Sequence, residues 1–240
     1  MYGLLGEHLS HSFSPQIHKA LGNDQYTLFE VSPENLESFL MEKKFKGINV
    51  TIPYKKAVMS FLDEISPEAE KIGAVNTVVV RDGKLCGFNT DYFGFQYMVI
   101  QTGVSVSGKK VLVLGSGGAS VTAVAVLQDL GANVVVISRS GVNNYDNLYL
   151  HKDATVIVNA TPVGMYPNAG VSPVDLDLFP ALECVLDIVY NPARTKLLLD
   201  AEKRRITNAN GLSMLVAQAK EAAEWFTGTT ISEDVIETIM

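Results

Sequence analysis

Cysteine is nearly absent: Cys86 and Cys184 are the only two in 240 residues. They lie far apart in apolar, strand-like settings and read as small buried hydrophobes, so no disulfide is expected. Histidine is scarce as well. His8, His11, His18 and His151 show no spacing with cysteine or carboxylate that resembles a zinc site, and no metal is expected. No apolar run is long enough to cross a bilayer, because Gly, charged or polar residues interrupt each one. No basic flank leads into an apolar segment at the start, so no secretory signal is expected and the expected location is cytoplasmic. Basic clusters are missing apart from Lys203-Arg204-Arg205, and the net charge is −7. Nucleic acid and anionic membranes are therefore poor candidate partners.

What remains is an ordinary globular balance, 47% hydrophobic and 19% charged, on a chain long enough for two modest domains. Strand signals fall at residues 2–6, 26–31 and 47–52. Helical stretches between them open at Ser14-Pro15, with Ser14 as the expected N-cap, and at Ser32-Pro33-Glu34. This βαβαβ order implies parallel strands. Residues 75–88 read as a hairpin, because Asp82-Gly83 is a favoured two-residue turn. A helix over 90–102 ends near Gly103. A strand then follows at 110–114, a Gly-rich turn at 115–120, a helix at 121–130 and strands at 133–138, 155–159 and 184–190. An amphipathic helix over 212–226 and a short helix over 231–239 close the chain. The expected fold is α/β: an N-terminal α/β substrate domain (1–103, joined by C-terminal helices in 210–240) and a doubly wound Rossmann-type dinucleotide-binding domain (104–209).

The Gly-rich turn carries chemistry in its context, because it follows a buried strand and opens a helix. Gly115 permits the tight turn. Gly117 and Gly118 let the backbone approach a pyrophosphate, whose charge the helix N-terminus favours. Ser116 and Ala119 complete the candidate cradle. Ser120 stands where the usual fingerprint has Gly or Ala, and a turn without ligand is the plainer alternative. An NAD site usually places Asp or Glu at the end of the next strand. Here Ser138-Arg139-Ser140 occupies that place. A guanidinium flanked by hydroxyls suits a ribose 2′-phosphate, with a solvated loop arginine as the alternative.

Polar clusters also gather where the first strands end. Ser12 and Ser14 flank Phe13. Asn49 and Thr51 alternate along one strand and so share a face. Lys55 follows, then Asn76-Thr77, then Asn89-Thr90-Asp91. Singly, each has a plain structural role: Ser14 and Thr90 as caps, Asn76 and Asn89 as turn residues, Lys55 as a solvated cation, Asp91 as a charge suited to a helix N-terminus.

Together the clusters resemble the shikimate dehydrogenase family. The motifs that carry the resemblance are His11-Ser12-Phe13-Ser14-Pro15 with His18, Asn49-Val50-Thr51-Ile52-Pro53-Tyr54-Lys55, Gly73-Ala74-Val75-Asn76-Thr77 and Asn89-Thr90-Asp91. It continues through the Gly-rich turn, residues 159–165, residues 187–192 and residues 210–218, in order and over essentially the whole chain. The resemblance implies a catalytic pair, Lys55 and Asp91, and a carboxylate-binding pair, Ser12 and Ser14. It implies further substrate ligands at Asn49, Thr51, Asn76, Thr90, Tyr190 and Gln218. On the cofactor side it implies Thr161, Ile188 and Gly211. The implied reaction is reversible reduction of 3-dehydroshikimate to shikimate by NADPH, on a monomer or homodimer, with substrate between the domains. Hinges are expected near 102–109 and 209–211.

The chain departs from the family around Arg139. The stretch from 139 to 155 is short, Asn143 and Asn144 stand where a second basic residue is common, and Ser138 and Ser140 replace the more usual Asn and Thr. NADP is the expected cofactor, with NAD as the alternative. The nearest rival function is quinate or quinate/shikimate oxidation. A non-catalytic dinucleotide-sensing module would lack Lys55 or Asp91, and a folate dehydrogenase would lack the Ser12/Ser14 pair.

Overall fold

The computed structural model describes residues 1–9 and 12–240. His11, part of the first sequence motif, lies outside the described residues. Two compact units are present: Met1–Gly94 with Val216–Met240, and Phe95–Leu215.

In the first unit the chain runs β1 (Tyr2–Gly6), α1 (Ser14–Ala20), β2 (Tyr26–Glu30), α2 (Leu36–Glu42) and β3 (Gly47–Val50). There follow β4 (Glu64–Ile65), α3 (Pro67–Ile72), β5 (Thr77–Arg81), β6 (Lys84–Phe88) and the start of α4 (Thr90–Gln101). The sheet order is β2-β1-β3-β5-β6-β4. Strands β1, β2 and β3 are parallel, as their βαβαβ connections require, whereas β3–β5 and β5–β6 are antiparallel. The hairpin turn has φ of 50° at Asp82 and 78° at Gly83, the left-handed pair that matches strand twist. One apolar cluster centres on Leu5, Leu40, Ile48 and Val78, and a second on Leu4, Tyr26 and Phe226.

Two local expectations need correction here. Ser14 is the first residue of α1 and not its cap. The cap position belongs to Phe13, and the Ser14 amide instead donates to Ser12 Oγ at 3.2 Å. Strand β4 was not expected. It is two residues long with a charged Glu64, because it sits at the sheet edge and pairs only with β6.

The second unit holds β7 (Lys110–Leu114), α5 (Gly118–Asp129), β8 (Asn133–Ile137), β9 (Val156–Asn159), β10 (Cys184–Asp187), α6 (Lys196–Lys203), β11 (Thr207–Asn210) and the start of α7 (Leu212–Thr227). Helix α8 (Asp234–Ile239) follows in the first unit. All strand pairs are parallel, in the order β11-β10-β9-β7-β8. Strands β9 and β10 are fully buried, which is why they read as short continuous apolar runs. The core gathers Leu112, Leu114, Ile157, Val185 and Leu197. Strand order reverses between β8-β7 and β7-β9, so a crevice is expected at the carboxyl ends of β7 and β9.

Strand β10 stops at Asp187, short of the expected Tyr190. The chain leaves the sheet at Ile188, whose carbonyl abuts the backbone of Gly211. Between β8 and β9 the connection is a 3₁₀ helix, Tyr145–His151, in place of a crossover α-helix. Both cysteines are buried and free. No helix among the described residues is long and apolar enough to cross a membrane.

Candidate active site

Lys55 is positioned from its backbone. Tyr54 is buried and anchors the turn after β3 through its hydroxyl, which donates to the Val31 carbonyl at 2.5 Å. The Lys55 carbonyl accepts the Val75 amide at 2.8 Å, tying the turn to the segment before β5. The side chain then places Nζ 2.5 Å from Asp91 Oδ2, and both side chains are largely shielded from water, at 24% and 13% exposure. Asp91 stands in the first turn of α4, where the helix N-terminus favours a carboxylate. The cap of that helix is Asn89: its Oδ1 accepts the Tyr92 amide and its Nδ2 donates to the Ala74 carbonyl. Lys55 and Asp91, 36 residues apart, are thus brought to one point by the turn after β3 and the first turn of α4.

Asn76 and Thr90 meet beside them. The Thr90 amide donates to Asn76 Oδ1 at 2.6 Å, and the Thr90 hydroxyl lies 3.1 Å from both Asn76 Nδ2 and Thr77 Oγ1. Asn49 is tied into the same network from behind. Its Nδ2 donates to Thr77 Oγ1 at 3.1 Å and, at a long 3.5 Å, to the Asn76 carbonyl. Its Oδ1 accepts the Tyr26 hydroxyl at 2.7 Å. Asn49 therefore spends its amide groups on holding Thr77 and Asn76. Thr77 was grouped with Asn76 in the sequence but given no role, and Tyr26 was read only as a strand residue, because a strand tyrosine looks like an ordinary sheet residue. Thr51 is half-buried just after β3, Gln218 is buried on α7, and Ser12 and Ser14 are half-buried.

His18 stacks on Tyr26 with ring centroids 4.0 Å apart. Neither ring nitrogen has a hydrogen-bond partner among the described residues. Burial pushes its pKa down to about 4, with the Asn49 side chain opposing, so the imidazole is neutral at physiological pH.

In the second unit, a cleft of about 580 Å³ opens at the reversal of strand order. Gly115, Ser116 and Gly117 line one part, Ser138, Arg139 and Tyr145 another, and Thr161 with its neighbours a third. Gly115 has φ 107°, and a Cβ there would meet the Ala160 carbonyl oxygen at 3.0 Å, so glycine is required twice over. A Cβ on Gly117 or Gly118 would meet nothing within 4 Å. The space above those residues is open, and α5 begins at Gly118 with Ala119 in its first turn. Ser120 is buried, and its hydroxyl donates to the Gly115 carbonyl at 2.7 Å. The unexpected serine therefore staples the turn shut on itself. Ser140 is exposed next to Arg139. Open glycine backbone at a helix N-terminus and a guanidinium after the next strand fit a phosphorylated dinucleotide.

Thr161 is held by a buried network that the sequence did not reveal. Its amide and hydroxyl both donate to Asn159 Oδ1, and its Oγ1 accepts the Val163 amide. Asn159 Nδ2 donates to Asp187 Oδ1 at 2.9 Å, and the Thr195 hydroxyl donates to Asp187 Oδ2 at 2.6 Å. Burial raises the Asp187 pKa, while hydrogen bonds from Thr195, Val189 and Asn159 pull against the rise. Ile188 and Gly211, expected together, are in backbone contact: a Cβ on Gly211 would lie 1.9 Å from the Ile188 carbonyl oxygen. Tyr190 is half-buried just beyond them, and burial pushes its phenol up.

Comparison with known proteins follows the same division. A family model described as the shikimate dehydrogenase substrate binding domain matches residues 4–78. The shikimate dehydrogenase (NADP(+)) of Clostridium beijerinckii is 40% identical over 93% of this chain and 90% of its own length. The structure of shikimate dehydrogenase 1 from Peptoclostridium difficile is 40% identical, covers 99% of this chain and 95% of its own, and superposes with a TM-score of 0.87. Shikimate 5-dehydrogenase from Thermus thermophilus, solved in complex with NADP(H) and shikimate, is 34% identical over 99% of this chain and 97% of its own, with a TM-score of 0.88.

Proposed function

The chain belongs to the shikimate dehydrogenase family, and from that premise we propose that it catalyses the reversible, NADP-dependent reduction of 3-dehydroshikimate to shikimate, a step of aromatic amino acid biosynthesis. The observation that carries the reading is the Lys55–Asp91 pair, held at 2.5 Å at the head of α4 beside Asn76 and Thr90. We assign the substrate to the first unit and the dinucleotide to the second. Among this chain's residues, the Gly115–Ala119 backbone would hold the pyrophosphate and Arg139 with Ser138 and Ser140 the adenosine end. Thr161, Ile188 and Gly211 would border the nicotinamide.

When bound, NADPH supplies the hydride that reduces the keto carbon. Negative charge then develops on the keto oxygen. The Lys55 ammonium stabilises it and delivers a proton there, completing the CH–OH. Asp91 fixes the direction of Nζ. Ser12 and Ser14 take the substrate carboxylate. Because Ser12 Oγ already accepts the Ser14 amide, its O–H is left to donate to that carboxylate. Asn76, Thr90, Thr51 and Gln218 bind the substrate's hydroxyl and keto groups, and Asn49 acts behind them. The two free cysteines suit a reducing compartment such as the cytoplasm, as a monomer or homodimer.

A spectrophotometric assay of shikimate and quinate, each with NADP⁺ and NAD⁺, tests the reading. The highest kcat/KM is expected for shikimate with NADP⁺. A preference for quinate overturns the substrate, a preference for NAD⁺ overturns the cofactor, and no turnover with any pair overturns the activity.

A further inference from the structure

We propose that the Tyr145 phenol is a second determinant of dinucleotide choice, donating its O–H to the ribose 2′-phosphate beside the Arg139 guanidinium. This rests on the reading of the second-unit cleft as an NADP site. It adds a residue that neither the Gly-rich turn nor the strand-end arginine points to.

The geometry begins with the missing crossover helix. Between β8 and β9 the chain makes only the 3₁₀ helix Tyr145–His151, and Tyr145 is its first residue. Its place is fixed from both sides. Asn144 Oδ1 accepts the Asp146 amide at 2.9 Å, while the Asn144 amide donates to Asn147 Oδ1 at 2.9 Å. Further along, Asn143 Oδ1 lies 3.0 Å from His151 Nε2. The Tyr145 side chain packs against the apolar core of the unit, so its ring is anchored. Tyr145 nevertheless lines the same cleft as Ser138 and Arg139. An anchored ring with its residue on the cleft wall is a preorganised donor.

The chemistry at that end of the cleft suits a dianion. No Asp or Glu is among the described residues that line it, so no carboxylate there accepts a bond from a free 2′-hydroxyl. A 2′-phosphate offers three oxygens, more than one guanidinium fork satisfies. Burial raises the Tyr145 pKa, and the Arg139 charge opposes that rise. The phenol is therefore a protonated donor at neutral pH that lies within reach of the Arg139 field. Gly141 contributes space: a Cβ there would sit 2.6 Å from Ser138 Oγ, in the place the hydroxyl now occupies.

The test is calorimetric titration of the full chain with adenosine 2′,5′-bisphosphate and with 5′-AMP, for the wild type and Tyr145→Phe. Phenylalanine keeps the anchored ring and removes only the O–H. The wild type is expected to bind the bisphosphate more tightly, and Tyr145→Phe to weaken it about tenfold while 5′-AMP affinity stays within about twofold. Equal weakening of both ligands overturns the proposal, because it means adenine stacking or a structural role. An unchanged bisphosphate affinity overturns it as well. A wild type that prefers neither ligand overturns the NADP reading itself, and this proposal with it. The same ratio, read from the fluorescence of bound NADPH and NADH, checks the result in the whole cofactor.

Discussion

Lys55 carries an ammonium that is three-quarters shielded and paired with one carboxylate. Replacing it by Met keeps the length of the stem and removes the proton donor. General acid catalysis of this kind contributes about 10²–10⁴ in rate. Lys55→Met is expected to lower kcat by about that factor and to change KM for shikimate little. A kcat within twofold of wild type would remove Lys55 from the chemistry. His18 makes a different prediction at the same scale, on stability and not on rate. Its folded pKa of about 4 lies below the ordinary 6.5. The fold therefore prefers the neutral imidazole, and the unfolded chain takes up the proton first. Stability from this group is fully present above pH 6.5 and is lost as pH falls through 4, by about 3 kcal/mol over the whole window. Carboxylates titrate in the same window, so the comparison must be with His18→Phe, whose urea midpoint should fall less steeply between pH 7 and 4. Parallel curves for the two proteins would show that His18 is not the titrating group.

At the scale of elements, the decisive close approach is Gly211 against Ile188. Any Cβ at Gly211 collides with a backbone carbonyl and not with a flexible side chain. The junction of β11 and α7 must then part from the end of β10. Gly211→Ala is expected to destabilise by about 3 kcal/mol or more and to weaken NADP⁺ binding measured by calorimetry. A wild-type Tm and affinity would mean that the junction yields freely. This contact also marks how far the sequence could be read. Strands β7 and β9, with their buried β-branched residues, and the Asp82-Gly83 hairpin were legible, because burial on both faces or a left-handed turn leaves a local signature. Strand β11 was not, since its sequence, Thr-Asn-Ala-Asn, carries no apolar run and its pairing comes only from β10 at the sheet edge. The approach of Lys55 to Asp91 joins the turn after β3 to the head of α4, and it was suggested by family resemblance, not by spacing. Asn49 was expected as a substrate ligand from the family resemblance, while its bond to Tyr26 was not expected, because a strand tyrosine looks like sheet filler. Tyr145 was passed over because a loop tyrosine acquires meaning only when a short crossover swings it to the cleft wall.

For the molecule as a whole, the helices α4 and α7 each run across the division between the two units. Neither helix is much longer than the minimum that is stable in isolation, so each depends on tertiary packing along its length. Phe95 and Met98, just past the division in α4, are fully buried, as are Ala219 and Ala222 past the division in α7. Melting one unit frays a helix that continues as buried chain in the other. Unfolding is therefore expected to be a single calorimetric transition and not two. A ligand that binds only the folded second unit should then raise the whole transition. At a hundredfold excess of NADP⁺ over its dissociation constant the gain is about 2.7 kcal/mol, and for a chain of this size that corresponds to about 5–10 °C. Shikimate, which we assign to the first unit, should shift the same single peak at an equivalent excess. Differential scanning calorimetry with each ligand in turn decides the point: two peaks, of which NADP⁺ moves one and shikimate the other, would mean that α4 and α7 link the units without coupling their stability.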